Sequence, residues 1–485
     1  MAFSSPRFLI FLLVLLALLW PRYRTARKKN VLAAASCLFY AAWDYRYLGL
    51  LLLVSVIDYV AAARIHAAAP GDEGRRKGWL WLSVVSNLGI LGYFKYYNFF
   101  VDNLNGLLGA GGLALPHQEI LLPAGISFYT FKSMSYTIDV YRGHIEPCES
   151  HLDYTTFITF FPELIAGPIV RASVFLPQMG RPIGPSVERL SAGASLFLLG
   201  LTKKRLVADR MAAVADPVFA SPELYATPTL WFGVVAYAIQ IYCDFSGYSD
   251  MAIGTAKMIG YDLPENFAMP YLAADVSEFW RRWHITLSQW LRDYLYVPLG
   301  GNRRGPLRTY LNLTLTMLLG GLWHGASWNF VLWGALHGGA LALHRFYRGR
   351  AGGFRLPRPF GVALTLTFAV LCWVPFRAAT FGQTATILAG LFGRPAGRAL
   401  WVPEYLFWAL GLMAFGHYVG WRLESPGVAR ALAWFGARPE RDDISGPYVR
   451  FSALGFGGAC LLTFWLLMLL YFVSAGSAPF IYFQF

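Results

Sequence analysis

A histidine set between two apolar runs is the residue of this chain best placed to do chemistry. His324 lies within residues 320–328, Gly-Gly-Leu-Trp-His-Gly-Ala-Ser-Trp. An ionisable side chain inside a membrane has a high free-energy cost and is usually functional. If His324 is buried in the membrane, it therefore indicates a functional site. The small residues on both sides would let a ligand approach closely. The alternative is a structural histidine that bonds a neighbouring helix.

The chemistry that a buried imidazole favours is proton transfer. Low-dielectric surroundings favour the neutral ring, which can accept a proton near neutral pH. A general base of this kind increases the reaction rate by roughly 10²–10⁴-fold. Acyl transfer to a hydroxyl needs such a base and a donor that polarises the carbonyl oxygen. A second histidine, a tryptophan N–H or a backbone amide could supply that donor.

A second histidine, His284, lies in residues 279–294, whose periodicity predicts one amphipathic helix. Such a helix suits a membrane interface or a cavity wall. His284 falls at the border of the apolar face, where a histidine taken alone is more often structural. The apolar face comprises Phe279, Trp283, Leu287, Trp290 and Tyr294.

Residues 244–250 place two acids and two serines just after an apolar run. They could contribute to a Ser/His/Asp arrangement, but the G-x-S-x-G pattern of a nucleophilic serine is missing. A polar bend that lines the site is the favoured interpretation. The candidate lining residues are Trp283, Trp323, Trp328, Asp244, Ser246 and Asn312.

Metal binding is not expected. His337 and His344 are two helical turns apart, but no carboxylate accompanies them at ligand spacing. His417 is expected to be structural. The five cysteines are scattered and form neither a disulfide framework nor a thiolate site.

The composition predicts an all-α polytopic membrane protein. Of the 485 residues, 56% are hydrophobic and 14% are charged, whereas soluble domains carry about 25% charged residues. Crossing a bilayer takes about 20 apolar residues, and we expect ten to twelve crossings. The clearest runs are 8–20, 47–63, 79–93, 228–242, 360–376, 401–421 and 451–473, with weaker ones at 31–43, 190–201, 310–323 and 328–343.

The net charge of +14, from 41 basic and 27 acidic residues, reflects short basic clusters beside apolar runs. The positive-inside rule explains these clusters better than nucleic-acid binding does. It places 22–29, 64–77, 203–205, 345–358 and 422–450 in the cytoplasm and both termini outside it. The first apolar run is expected to be a retained helix, since basic residues and no cleavage site follow it.

The chain is expected to form a single membrane domain, 1–485. Residues 1–120 and 346–485 are interpreted as scaffold helices, and 121–345 as the catalytic core. The core mixes apolar helices with short glycine-bearing and proline-bearing elements. Irregular backbone at membrane depth is tolerated only in buried positions or beside a wet cavity.

An ordered set of motifs resembles the membrane-bound O-acyltransferase family, in its alginate O-acetyltransferase branch. Examples are Phe-Pro-Glu-Leu-Ile-Ala-Gly-Pro-Ile at 161–169 and Trp-His-Gly-Ala-Ser-Trp at 323–328. The other matching segments are 39–44, 93–99, 122–131, 139–143, 244–250, 265–267, 279–293, 298–305 and 479–485.

The resemblance implies a ring of helices around a central tunnel, with short re-entrant or interfacial helices. His324 corresponds to the signature histidine near the membrane centre, and His284 to the second family position. The resemblance also implies acetyl-CoA as a donor substrate, no bound cofactor, an exopolysaccharide acceptor such as alginate, a periplasmic SGNH-type partner, and the bacterial inner membrane.

Two other functions stay open. A teichoic acid D-alanyltransferase of the same superfamily would take its acyl group from a carrier protein, but 298–305 and 479–485 favour the polysaccharide branch. A non-enzymatic polysaccharide or acyl transporter would show inverted repeats and paired intramembrane charges, and neither is evident in the sequence.

Overall fold

The computed structural model describes residues 2–20, 25–69, 71–108, 115–181, 185–350, 356–395, 397–423, 425–434 and 436–451, with positions 463 and 467. Helices dominate this part of the chain, and its two β-strands form one hairpin. The predicted all-α class is therefore confirmed for the described residues. Most of the apolar run 451–473, Cys460 and the motif 479–485 lie outside them.

One compact unit consists of Met1–Ala194 and Ala252–Pro264. Parts of α10 (Val187–Thr202) and α12 (Thr227–Ile259) belong to it. Its other helices are α1 (Pro6–Leu19), α2 (Thr25–Asp44), α3 (Arg46–Ala67), α4 (Glu73–Leu91), α5 (Tyr97–Leu108), α6 (Ile126–Tyr141), α7 (His151–Thr159), α8 (Phe161–Leu164) and α9 (Ala172–Met179), with a π-turn at Gly92–Tyr96.

Buried polar pairs tie the helices of this unit together. The Asp58 carboxylate on α3 accepts from Asn87 Nδ2 on α4 at 2.8 Å and from the Ser133 hydroxyl on α6. The Lys132 ammonium on α6 pairs with the Glu163 carboxylate on α8. Since buried polar groups are costly without partners, these contacts fix which helices are neighbours.

The other compact unit consists of the described residues within Ser195–Met251 and Glu265–Phe485. It contains the remainder of α10 and α12. Its further helices are α11 (Asp209–Ala220), α13 (Val276–Arg282), α14 (Ile285–Leu291), α15 (Gly305–His324), α16 (Trp328–Arg350), α17 (Arg358–Arg377), α18 (Phe381–Leu391), α19 (Glu404–Trp421) and α20 (Pro426–Trp434), with π-turns at Lys203–Ala208 and Arg292–Tyr296.

The strands β1 (Ala437–Asp442) and β2 (Gly446–Phe451) pair antiparallel within the segment 422–450 that the charge pattern assigns to the cytoplasm. Gly446 begins β2 with a left-handed φ of 72°. No strand was predicted from the sequence here, where Asp442 belongs to a residue type that is depleted in strands.

Among the described residues, two helices are long and apolar enough to cross a bilayer by length and composition. They are α3 and α17, which coincide with the predicted runs 47–63 and 360–376. Helix α1 is a shorter apolar helix. The count of ten to twelve crossings and the single-domain organisation stay predictions.

Candidate active site

The site is built around the last residue of α15. His324 is 4% exposed, and its ring lies among three aromatic rings. The centroids are 5.0 Å from Trp323, 5.0 Å from Trp333 on α16 and 5.2 Å from Phe376 on α17. Gly325 ends the helix in an extended conformation, with φ −162° and ψ 150°. The imidazole is thus held at the turn between α15 and α16, away from bulk water.

Phe330 fills the space beside the glycines that flank His324. A Cβ atom at Gly321 would collide with the Phe330 carbonyl oxygen, and one at Gly325 would collide with the Phe330 ring. The expectation that these small residues admit a ligand is therefore wrong for Gly321 and Gly325. Their absence of side chains lets α15 and α16 approach closely.

The structure brings the two predicted histidines together. The His284 ring centroid lies 6.4 Å from that of His324 and 6.0 Å from that of Trp323. His284 is fully buried, and the Phe245 ring of α12 packs edge-on against it at 4.7 Å. Both imidazoles and the Trp323 indole therefore share one buried neighbourhood.

The continuous helix predicted over 279–294 is wrong, because the chain breaks at His284. Helix α13 ends at Arg282, Trp283 is extended, and His284 adopts φ 43° and ψ 55° before α14 begins. A left-handed conformation costs a non-glycine residue roughly 1–2 kcal/mol. A residue keeps such an unfavourable backbone conformation only where contacts with the surrounding structure stabilise it.

Asn266 supplies these contacts. Its carbonyl accepts the Ile285 N–H at 3.0 Å, directly after the strained residue. Its side-chain oxygen accepts the Thr286 N–H at 3.3 Å and the Thr286 hydroxyl at 3.0 Å. Beside it, Phe267 forms a β-bridge with Trp283. This tertiary pairing overrides the helical periodicity of 279–294.

The remaining predicted lining residues occupy different surroundings. Trp283 is buried against Phe267 and Trp373, with centroids 5.1 and 4.9 Å away. Asn312 is buried and donates to the Gly301 carbonyl at 3.1 Å.

Ser246 is buried on α12, whereas Trp328 is 52% exposed at the start of α16. Among the predicted lining residues, Trp323 has its ring against both His284 and His324. Whether the others line a tunnel stays a prediction.

Asp244 belongs to a buried ionic cluster that the sequence analysis did not identify. Its carboxylate lies 2.9 Å from the Lys204 ammonium, which also lies 3.1 Å from Asp209. The neighbouring Lys203 pairs with Asp250 at 2.6 Å. Both lysines come from the π-turn Lys203–Ala208, an element that often marks functional regions and that hydropathy cannot reveal.

His337, His344 and His417 each have different neighbours. His337 is fully buried among aromatic rings, and His344 Nε2 lies 3.6 Å from Asp275. Within the described ranges no cluster of three or more His, Cys, Asp or Glu side chains could hold a metal ion. His417 Nδ1 lies 3.0 Å from the Met413 carbonyl, and its ring packs on Tyr242 at 4.9 Å, in keeping with a structural role.

These features define a helical membrane protein with a buried pair of histidines beside indole rings. Comparison with known proteins places it among the enzymes: residues 148–374 match the model of the membrane-bound O-acyltransferase family. The similarity to one relative extends over the whole chain, and the protein belongs to this family of O-acyltransferases.

Several relatives are similar over most of their length. A "probable alginate O-acetylase" of Pseudomonas putida is 39% identical over 100% of both chains. A protein of the same name from Azotobacter vinelandii is 45% identical over 81% of this chain and 78% of its own. A peptidoglycan O-acetyltransferase of Helicobacter pylori is 39% identical over 75% of this chain and 73% of its own.

A teichoic acid D-alanyltransferase of Streptococcus thermophilus is more distant. It is 28% identical over 47% of this chain and 58% of its own.

Proposed function

We propose that this protein takes acetyl groups from a cytoplasmic donor, with acetyl-CoA as the substrate, and transfers them across the inner membrane for O-acetylation of an exopolysaccharide such as alginate. The observation that carries the proposal is the 6.4 Å separation between the buried rings of His284 and His324. The relatives named as alginate O-acetylases support the polysaccharide.

His324 acts as the general base in this proposal. Its neutral imidazole removes the proton from the attacking hydroxyl while the hydroxyl oxygen bonds to the acetyl carbonyl carbon. The carbon–sulfur bond of the thioester then breaks, and the thiolate leaves with the proton that His324 held. His284 orients the acyl carbonyl or assists the proton transfer, and the indole of Trp323 lies close to both rings.

A tunnel between the helices would bring the donor from the cytoplasmic side and the acceptor from the opposite side. The broken backbone at His284 supports this arrangement, because irregular backbone within a membrane protein belongs beside protein or a wet cavity. A periplasmic SGNH-type acetyltransferase is the expected partner, since a polymer outside the membrane must still receive the acetyl group.

The alternative functions have less support. The D-alanyltransferase relative covers less than half of this chain, whereas the O-acetylase of Pseudomonas putida covers all of it. A non-enzymatic transporter would not need a basic imidazole, so replacement of His324 distinguishes transport from catalysis.

The test is acetyl transfer by the purified protein in lipid nanodiscs with radiolabelled acetyl-CoA and alginate oligosaccharides, alone and with its periplasmic partner. His324→Ala should lower transfer by roughly 10²–10⁴-fold while the protein still accumulates in the membrane. His117→Ala, at an exposed residue paired with Asp102, is the matched control. Wild-type transfer by the His324 variant would overturn the assignment. In a parallel assay with a D-alanyl carrier protein as the donor, transfer from that carrier and none from acetyl-CoA would favour the second family activity.

A further inference from the structure

A third histidine, His337, lies in an aromatic enclosure that adjoins His324. It is 0% exposed and sits one helical turn after Trp333 on α16, the spacing that places side chains side by side. Its ring centroid is 4.7 Å from Trp333 and 5.2 Å from Trp280 on α13. Because Trp333 also lies 5.0 Å from His324, one indole contacts both histidines.

The nitrogen atoms of this enclosure have no hydrogen-bond partners within the described part of the chain. Neither ring nitrogen of His337 has a hydrogen-bond partner among the residues that the structure describes, and the same holds for the indole nitrogens of Trp280 and Trp333. All three side chains are buried. Buried polar groups in proteins are nearly always bonded, and an unmade bond carries the full cost of desolvation.

Contacts with the faces of aromatic rings cannot replace all the missing hydrogen-bond partners. An aromatic face can accept an N–H weakly, and the Trp280 ring stands edge-on to His337 at 80°. A neutral imidazole, however, also carries one acceptor nitrogen, which the electron-rich face of a ring cannot satisfy. Indole nitrogens only donate. The missing partner must therefore both donate and accept, as an O–H group does.

We propose that His337, with the indole N–H groups of Trp280 and Trp333, forms a second subsite that binds an O–H group beside the reaction centre. This inference rests on the proposed function, because a substrate of O-acetylation carries hydroxyls. The occupant is either an ordered water or a hydroxyl of a substrate. In either case it fixes the position of Trp333, which packs directly on His324.

The direct test is a high-resolution cryo-electron microscopy map of the full chain in nanodiscs. Three samples are compared: the protein alone, with a thioether analogue of acetyl-CoA, and with an alginate oligosaccharide. We expect density within about 2.6–3.2 Å of a His337 nitrogen. Density in all three samples identifies water, and density in only one of the liganded samples identifies that substrate. Well-resolved side chains with no such density in any sample would overturn the subsite.

Paired substitutions measure its contribution. His337→Gln keeps a donor and an acceptor and should retain transfer within about threefold, whereas His337→Phe removes both and should lower kcat/KM about 10–100-fold. Wild-type kcat/KM in His337→Phe would refute a role in transfer. If that variant does not fold, Trp280→Phe and Trp333→Phe remove the N–H groups while they keep a smaller aromatic side chain at each position, with the same loss expected. The map decides the subsite even if the wild-type protein transfers no acetyl group, so the two proposals fail separately.

Discussion

The side-chain oxygen of Asn266 accepts two hydrogen bonds from Thr286, one from its backbone N–H at 3.3 Å and one from its hydroxyl at 3.0 Å. The Asn266 carbonyl holds the Ile285 N–H as well. These three hydrogen bonds hold the chain directly after the left-handed backbone of His284. The position of the second histidine is thus set by a residue outside its own helix.

Asn266→Ala should therefore lower transfer by displacing His284. The strained turn loses its side-chain acceptor, and we expect a fall in kcat of about 10–100-fold with little change in KM, since a misplaced group near the chemistry costs rate. Kinetics of acetyl transfer in nanodiscs provide the measurement.

Two milder variants separate positioning from general damage. Thr286→Val removes only the hydroxyl bond and should cost less than Asn266→Ala, while Asn266→Asp keeps the acceptor and should restore part of kcat. Equal kcat in the alanine variant and the wild type would show that His284 does not need this support.

Gly321→Ala should destabilise the protein by about 1–3 kcal/mol, the usual cost of overpacking. Its new methyl group would meet the Phe330 carbonyl at the contact between α15 and α16. Thermal unfolding in detergent and the amount of folded protein measure the effect. Gly339→Ala on α16 is the matched control, because nothing lies within 4 Å of a Cβ atom there.

The glycine prediction is refuted if both alanine variants unfold at the wild-type temperature. It is also refuted if the control alone is destabilised, since the open site at Gly339 gives no reason for strain.

The sequence was sufficient to predict the helical class and to select His324 and His284 as candidates, whose catalytic roles stay predictions. Apolar runs indicate helices in a membrane protein directly. A histidine within such a run is conspicuous because placing an ionisable residue in the membrane costs free energy. The motif resemblance supplied His284, whose own surroundings were ambiguous. The structure then placed both rings 6.4 Å apart.

The break at His284 could not be predicted, because the apolar periodicity of 279–294 continues across it. Only pairing with Asn266 and Phe267, residues distant in the sequence, shows where the helix stops. The packing of Phe330 against Gly321 and Gly325 was missed for a similar reason. Glycines in a sequence are equally compatible with a bound ligand and with close helix packing, and only the position of the neighbouring helix decides between the two. The ion pair of Asp244 with Lys204 likewise depends on the register between a π-turn and α12.

Lys204→Met should destabilise the protein by about 3–5 kcal/mol, since it removes the cation that lies against the buried Asp244 carboxylate. In this variant Asp209 keeps its ion pair with Arg205 at 2.8 Å. Lys204 lies between Asp244 and Asp209 at 2.9 and 3.1 Å. The loss should also lower transfer, because the residue after Asp244 is Phe245, whose ring packs on His284. Thermal unfolding and acetyl transfer measure the two effects.

The double variant Lys204→Met with Asp244→Asn should recover part of the stability, because one uncompensated charge is then removed. Lys77→Met, at an exposed position of α4, should leave the unfolding temperature within about 1 °C of the wild type. A single variant as stable as the wild type would mean that the cluster contributes no net stability.

Glu265 should make stability depend on pH. It lies half-buried in the loop after α12. Burial, together with the Asp250 carboxylate, raises the pKa of Glu265 to about 7, against the opposing effect of Lys203 and Arg441. The folded protein therefore binds this proton more tightly than the unfolded chain does. The contribution of Glu265 to stability is full below the unfolded pKa, falls as the pH rises from about 4.5 to 7, and is constant above that.

Glu265→Gln removes this titration, so its unfolding temperature should approach that of the wild type at pH 4.5, exceed it increasingly up to about pH 7, and exceed it by a constant amount from there to pH 7.5. Thermal unfolding in detergent across that range provides the measurement. The exposed Glu119→Gln is the control and should show a difference that does not change with pH. A constant difference for Glu265→Gln, or one that grows toward low pH, would contradict the sign of the effect. Because Glu265 directly precedes Asn266, a loss of transfer that follows the same pH range would further indicate that its ionisation loosens the support of His284.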